Sequence, residues 1–112
     1  MTSTNLPINN KLKNRLSIIS GDLITQSVDA IVNPTNNVLI AAGLCSNIHR
    51  AAGDNLRRAI SGVKWLDTSK AIITPGFRLL SSHVIHTCAP IWQKERSQES
   101  GEELRICYRN CL

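Results

Sequence analysis

The chain has 112 residues and a net charge of +5, with 42% hydrophobic, 19% charged and 4% aromatic residues. That length fits one small domain with a modest, mainly aliphatic core, and the composition excludes an intrinsically disordered chain. The positive charge favours anionic partners such as phosphates. The basic residues are dispersed and stacking aromatics are few, which disfavours nucleic acid as the partner.

From the N-terminus, residues 1–14 read as a flexible lead-in, leaving 15–112 as the domain. They hold no apolar signal segment, and no later run is long enough to span a membrane. The cysteines, Cys45, Cys88, Cys107 and Cys111, form no CxxC pair and no zinc-ligand spacing with histidine. A cytoplasmic protein with reduced thiols, without metal or cofactor, is expected.

Leu16-Ser17-Ile18-Ile19-Ser20 predicts a short strand stopped at Gly21-Asp22. Ala30-Ile31-Val32-Asn33 predicts a second, stopped by Pro34. Its lack of alternation suggests burial on both faces. Residues 34–46 read as a loop. Ile48, Ala51, Ala52, Leu56, Ala59 and Ile60 make the apolar stripe of one helix, capped by Ser46 or Asn47 and ended at Gly62. Lys70–Thr74 and His83–Thr87 predict two more strands. Residues 93–101 read as a polar loop. Ser100-Gly101-Glu102-Glu103 fits a capping box for a last helix, whose stripe is Leu104, Cys107, Tyr108, Cys111 and Leu112. Buried-type strands alternating with helices argue α/β architecture with a largely parallel central sheet.

The chemistry concentrates where the second strand ends. Small residues Ala41-Ala42-Gly43 precede a helix, and a helix N-terminus offers unpaired N–H groups and partial positive charge to an anion. Asp22 also follows a strand end and can face the same rim, where ligands of open α/β sheets bind. The residues alone point to a phosphate-containing ligand.

Gly21-Asp22-Leu23-Ile24-Thr25, Val28–Asn36, Gly43-Leu44-Cys45, Ile48–Gly53, Ala71–Gly76 and Val84–Thr87 occur in one order and spacing. This series resembles the macro domain, over roughly residues 16–112. The resemblance implies a three-layer α/β/α sandwich with a mixed central sheet, here without its C-terminal strands and helices. It implies binding of ADP-ribose. It also implies hydrolysis of ADP-ribosyl esters, on acidic side chains of an ADP-ribosylated protein or in O-acetyl-ADP-ribose. The alternatives are a non-catalytic reader or an inactive truncated remnant.

By the same resemblance, Asp22, with Leu23 beside it, is the carboxylate that accepts from the adenine amino group. Asn36 orients the distal ribose. Gly43, Leu44, Cys45 and Ser46 occupy the first phosphate-binding loop. Catalytic candidates are Asn36 and Cys45. Cys45 stands where many hydrolytic members carry an aspartate, and a thiol is the poorer base for water. Activation of water by a ligand phosphate remains open. The loop Ala41–Ser46 is also shorter and less glycine-rich than the family's.

Other readings compete. Asp22 can cap a turn, and Asn36 can be an ordinary loop residue. A thiol at a helix N-terminus gains reactivity, yet no base for Cys45 is evident. His49 and His86 read as structural, and His83 as a strand-edge surface residue. Cys88, Cys107 and Cys111 read as small buried hydrophobes, and Arg57-Arg58 as a solvated helix face.

Overall fold

The computed structural model describes residues 14–40 and 43–112. The expected flexible lead-in therefore lies outside the described residues except for Asn14, an exposed turn residue. So do Ala41 and Ala42 of the predicted loop.

The elements are β1 (Ala30–Thr35), α1 (Leu44–Ala52), α2 (Asp54–Ile60), β2 (Ala71–Pro75), β3 (His83–Cys88) and α3 (Ser97–Cys111), with single 3-10 turns at Leu23–Thr25 and Lys94–Arg96. The strands form one sheet in the order β1-β3-β2. β1 runs parallel to β3, with Ile31 opposite Val84 and Asn33 opposite His86. β2 runs antiparallel to β3, with Ile72 opposite His86. The sheet is thus mixed, as the family resemblance implies, rather than largely parallel. β1 runs on through the proline expected to stop it, Pro34, while β2 ends at Pro75. An edge strand can spare the missing N–H.

Side chains alternate between two faces. One face carries Ile31 and Val84, which pack with Ile48, Ala52 and Leu56 of α1 and α2 and with Leu79. Burying each such aliphatic side chain contributes about 1.5–3 kcal/mol. Leu39, Ile60, Leu66 and Cys88 extend this layer beyond the strand ends. The other face meets α3, where the Thr87 hydroxyl lies 3.0 Å from the Cys107 thiol. Helices therefore lie on both faces, giving three layers.

Several expectations change. Leu16–Ser20 joins no strand and is exposed throughout. β1 is not buried on both faces: Val32 is 41% exposed, because α3 packs over β2 and β3 and leaves β1 uncovered on that side. The predicted single helix over 48–60 is two. Gly53 adopts φ 88° and ψ 179°, which ends α1 and starts α2. Ala59 turns outward, while the rest of the stripe stays on the core side. α1 also starts earlier than the Ser46 or Asn47 caps allow, with Gly43 at φ 54° as its N-cap. Glycine tolerates that left-handed φ; other residues rarely do.

α3 starts at Ser97, within the predicted loop, with Arg96 at the N-cap position and no side-chain cap bond from it. The capping box does not form. Ser100 is instead buried inside the helix, its hydroxyl accepting from Gln93 N at 3.3 Å. Ser100 and Cys107 face the sheet, whereas Leu104 and Tyr108 of the predicted stripe are exposed. Among the described residues no helix is long and apolar enough to cross a membrane.

Candidate functional site

The site grows from the carboxyl end of β1. After Thr35 the chain turns sharply, and Asn36 closes the turn. Its Oδ1 accepts from Val38 N at 3.1 Å and from Ile40 N at 3.0 Å. Its Nδ2 donates to Ile40 O at 2.9 Å. Asn36 is therefore a loop-forming residue first, and its amide is largely committed before any ligand arrives. Asn37 ties the loop to the distant segment after α2, donating to Leu66 O at 2.7 Å.

Next comes the N-terminus of α1. Gly43 accepts the first helical bond from Asn47 N, at 3.4 Å, and among the described residues no side chain caps the helix. Leu44, Cys45 and Ser46 form the first turn, whose amides carry the positive end of the helix dipole. Leu44 is 40% exposed and Cys45 only 1%. The Cys45 thiol lies inside. Asn33 Nδ2 donates to its sulfur at 3.4 Å, and the thiol faces Thr35 Oγ1 at 3.7 Å. Neither partner is a base that could turn the thiol into a nucleophile.

Asp22 does cap a turn. Its Oδ1 accepts from Ile24 N at 3.0 Å and starts the 3-10 turn Leu23–Thr25. The carboxylate remains exposed. Leu23 and Ile24 pack on the core cluster that includes Ile48 and Ala52 of α1. That packing seats the turn against α1.

The predicted residues do not all share one hollow. Asn36 lines a cleft of about 320 Å³ past the ends of β1 and β3, with Thr35, Asn37, Cys88 and Pro90. Ser46 lines a separate cleft of about 370 Å³ with His49, Arg50 and Arg57. Among the described residues, no three of His, Cys, Asp or Glu converge as metal ligands.

Sequence reasoning missed a buried polar chain beneath the site. Asn33 and His86, both 0% exposed, meet across β1 and β3 with Asn33 Nδ2 3.0 Å from His86 Nδ1. His86 Nε2 lies 2.9 Å from Thr74 Oγ1 on β2. Burial pushes the His86 imidazole down to about 4, helped by the nearby His49, so it is neutral at physiological pH. The signal available was an asparagine in an otherwise apolar strand, Ala30-Ile31-Val32-Asn33.

Of the remaining residues, Cys111 is half-buried rather than buried, and His83 opens the central strand β3. His49 is buried, and burial, then the Arg57 charge, lower its pKa. His83, Arg57 and Arg58 are exposed. All four cysteines are unbridged, and Cys88 and Cys107 are buried. Burial raises the Cys88 and Cys111 thiols.

Comparison with known proteins agrees with this geometry. The family model described as the macro domain matches residues 32–112. ADP-ribose glycohydrolase MACROD1 of Rattus norvegicus is 41% identical over 103 residues, covering 91% of this chain and 40% of that protein. The O-acetyl-ADP-ribose deacetylase of Salmonella newport is 42% identical over 106 residues, covering 90% of this chain and 59% of that protein. The Oceanobacillus iheyensis macrodomain, solved with ADP, superposes with a TM-score of 0.76 and 37% identity over 82% of this chain and 52% of its own. The chain thus spans about half the length of the relatives it matches. With its mixed three-stranded sheet between helices and its helix after β1, where Gly43 makes no side-chain cap bond, the chain belongs to the macro domain family.

Proposed function

We propose that this chain binds ADP-ribose, and that the bound ligand belongs to an ADP-ribosyl ester that the domain hydrolyses. The observation that carries the binding claim is the N-terminus of α1, in the loop-to-helix segment that follows β1, where Gly43 makes no side-chain cap bond. Its first-turn amides, at Leu44, Cys45 and Ser46, would meet the diphosphate. Gly43 lets the backbone approach closely. Asp22 keeps an exposed carboxylate for the adenine amino group, on a turn that Leu23 anchors. Asn36 would meet the distal ribose as an extension of its turn-closing role. The names of the relatives support an ADP-ribose ligand, because one is an ADP-ribose glycohydrolase and another an O-acetyl-ADP-ribose deacetylase.

For hydrolysis, Asn36 would orient the ribose and the attacking water. A phosphate oxygen of the ligand would take the proton, because Cys45 is buried and lacks a base. The ester of an acidic side chain, or the acetyl ester of O-acetyl-ADP-ribose, would be cleaved. We propose the cytoplasm as its compartment.

A second reading has its own observation. The buried, hydrogen-bonded Cys45 in place of a carboxylate favours a reader that binds without turnover. Titration calorimetry with ADP-ribose, followed by release of ADP-ribose from a mono-ADP-ribosylated protein, separates the readings. Heat and release support the hydrolase. Heat without release selects the reader. No heat at millimolar ligand removes both.

A further inference from the structure

The buried polar chain beneath α1 has a direction. Thr74 Oγ1 donates to the Pro75 carbonyl at 3.1 Å, so its oxygen is left to accept from His86 Nε2 at 2.9 Å. The His86 proton therefore sits on Nε2, and Nδ1 is the acceptor. Among the described residues the amide nitrogen of Asn33 serves it, at 3.0 Å. The second hydrogen of that nitrogen points to the Cys45 sulfur at 3.4 Å. Cys45 passes its own proton toward Thr35 Oγ1 at 3.7 Å. One set of donors and acceptors thus runs from β2 through β3 and β1 into the first turn of α1.

This arrangement has a cost. Asn33 Oδ1 is buried and, among the described residues, has no hydrogen-bond partner. Buried polar atoms are rarely left so, and an apolar pair at positions 33 and 86 would avoid the penalty. The chain ends on the one helical turn that faces the proposed ligand, which gives the expense a purpose.

We propose that Asn33 and His86 are positioning residues: through the Cys45 thiol they hold the first turn of α1 where its amides meet the diphosphate. The proposal rests on the ADP-ribose reading for its ligand, and on the hydrogen-bond chain for its mechanism. Neither residue touches the ligand. Each acts through the next, as residues that support a binding shell do.

A double-mutant cycle tests it. ADP-ribose affinity is measured by calorimetry for the wild type, His86→Leu, Cys45→Ala and the double variant. His86→Leu should weaken binding about tenfold. His86→Gln, which can accept at one end and donate at the other, should weaken it by less than about threefold. In the Cys45→Ala background, His86→Leu should cost less than about twofold more, because the link is already cut. A purely structural role for His86 predicts the full tenfold loss in both backgrounds, and that result overturns the proposal.

A second arm needs no ligand. Nitrogen-15 NMR of the wild type should place the His86 proton on Nε2. The amide signals of Leu44, Cys45 and Ser46 should move in His86→Leu and stay near the wild type in His86→Gln. A proton on Nδ1, or unmoved amides, overturns the proposal whether or not ADP-ribose binds. Moved amides with an Nε2 proton, but no heat with ADP-ribose, support the positioning and overturn only the ligand assignment.

Discussion

Asn110 Nδ2 donates to the backbone carbonyl of Ser69 at 2.6 Å, across 41 residues of sequence. Ser69 answers with its own hydroxyl, which donates to Glu103 O at 2.7 Å. Two polar contacts on a single turn residue thus fasten α3 to the entrance of β2. They do much of the work that the predicted stripe, with its exposed Leu104 and Tyr108, cannot do. Asn110→Ala should cost about 1 kcal/mol of stability, and Ser69→Ala a similar amount. Urea unfolding followed by circular dichroism measures both. Unchanged midpoints would mean that α3 is held by other contacts.

Two glycines make opposite predictions. A Cβ on Gly76 would stand 2.1 Å from the Ser81 carbonyl oxygen, which the hairpin backbone cannot move aside cheaply. Gly76→Ala should therefore cost about 2 kcal/mol or more. Gly101 lies inside α3 with nothing within 4 Å of an added Cβ. Gly101→Ala should stabilise by about 0.5–1 kcal/mol through helix propensity. Thermal unfolding of the pair gives the sign of each; a stabilised Gly76→Ala would contradict the packing described for that turn.

His86 makes stability depend on pH. Its folded value, about 4, lies below the 6.5 of a free imidazole. Between those values the unfolded chain takes up a proton that the folded one refuses. Its contribution is fully present above pH 6.5 and is lost as pH falls toward 4, in total about 3 kcal/mol. His49 is lowered too and adds in the same direction. Urea midpoints should fall between pH 7.5 and 4.5 in the wild type, and less steeply in His86→Gln. Equal slopes would show that His86 is not the source.

Asp22 and Asn36 should separate binding from stability. Asp22→Ala removes one turn cap at an exposed site, so about 0.5–1 kcal/mol of stability should go. Its loss in ADP-ribose affinity should be larger, about tenfold, because a carboxylate hydrogen bond to the adenine is lost. Asn36→Ala should cost both, since its amide closes the turn that leads to α1. Calorimetry and unfolding on the same samples check this. An Asp22→Ala variant that loses stability but keeps its affinity would reduce Asp22 to a cap.

Much of the fold was legible because β1, β2 and β3 are short apolar runs, each ending within a residue or two of a proline, and because the α1–α2 stripe keeps helical spacing. What local patterns lack is pairing. Nothing in Lys70–Thr74 says that it will run antiparallel to His83–Thr87, and nothing in Leu16–Ser20 says that no strand will pair with it. The break at Gly53 was invisible because the core stripe continues across it, from Ala52 to Leu56, while only the backbone φ changes. At the site, a helix after the β1 loop was readable from local residues, but its start at Leu44 was not, and Asp22 caps a 3-10 turn with no strand before it. The Asn33–His86 contact joins positions 53 apart, and no spacing rule announces it.

The central claim is that the first turn of α1, with Asp22 and Asn36, recognises ADP-ribose. Titration of the chain with ADP-ribose by calorimetry tests it most directly. Saturable one-site heat, weakened about tenfold by Asp22→Ala, is the predicted result. No heat at millimolar ADP-ribose, from protein shown to be folded by circular dichroism, would contradict it.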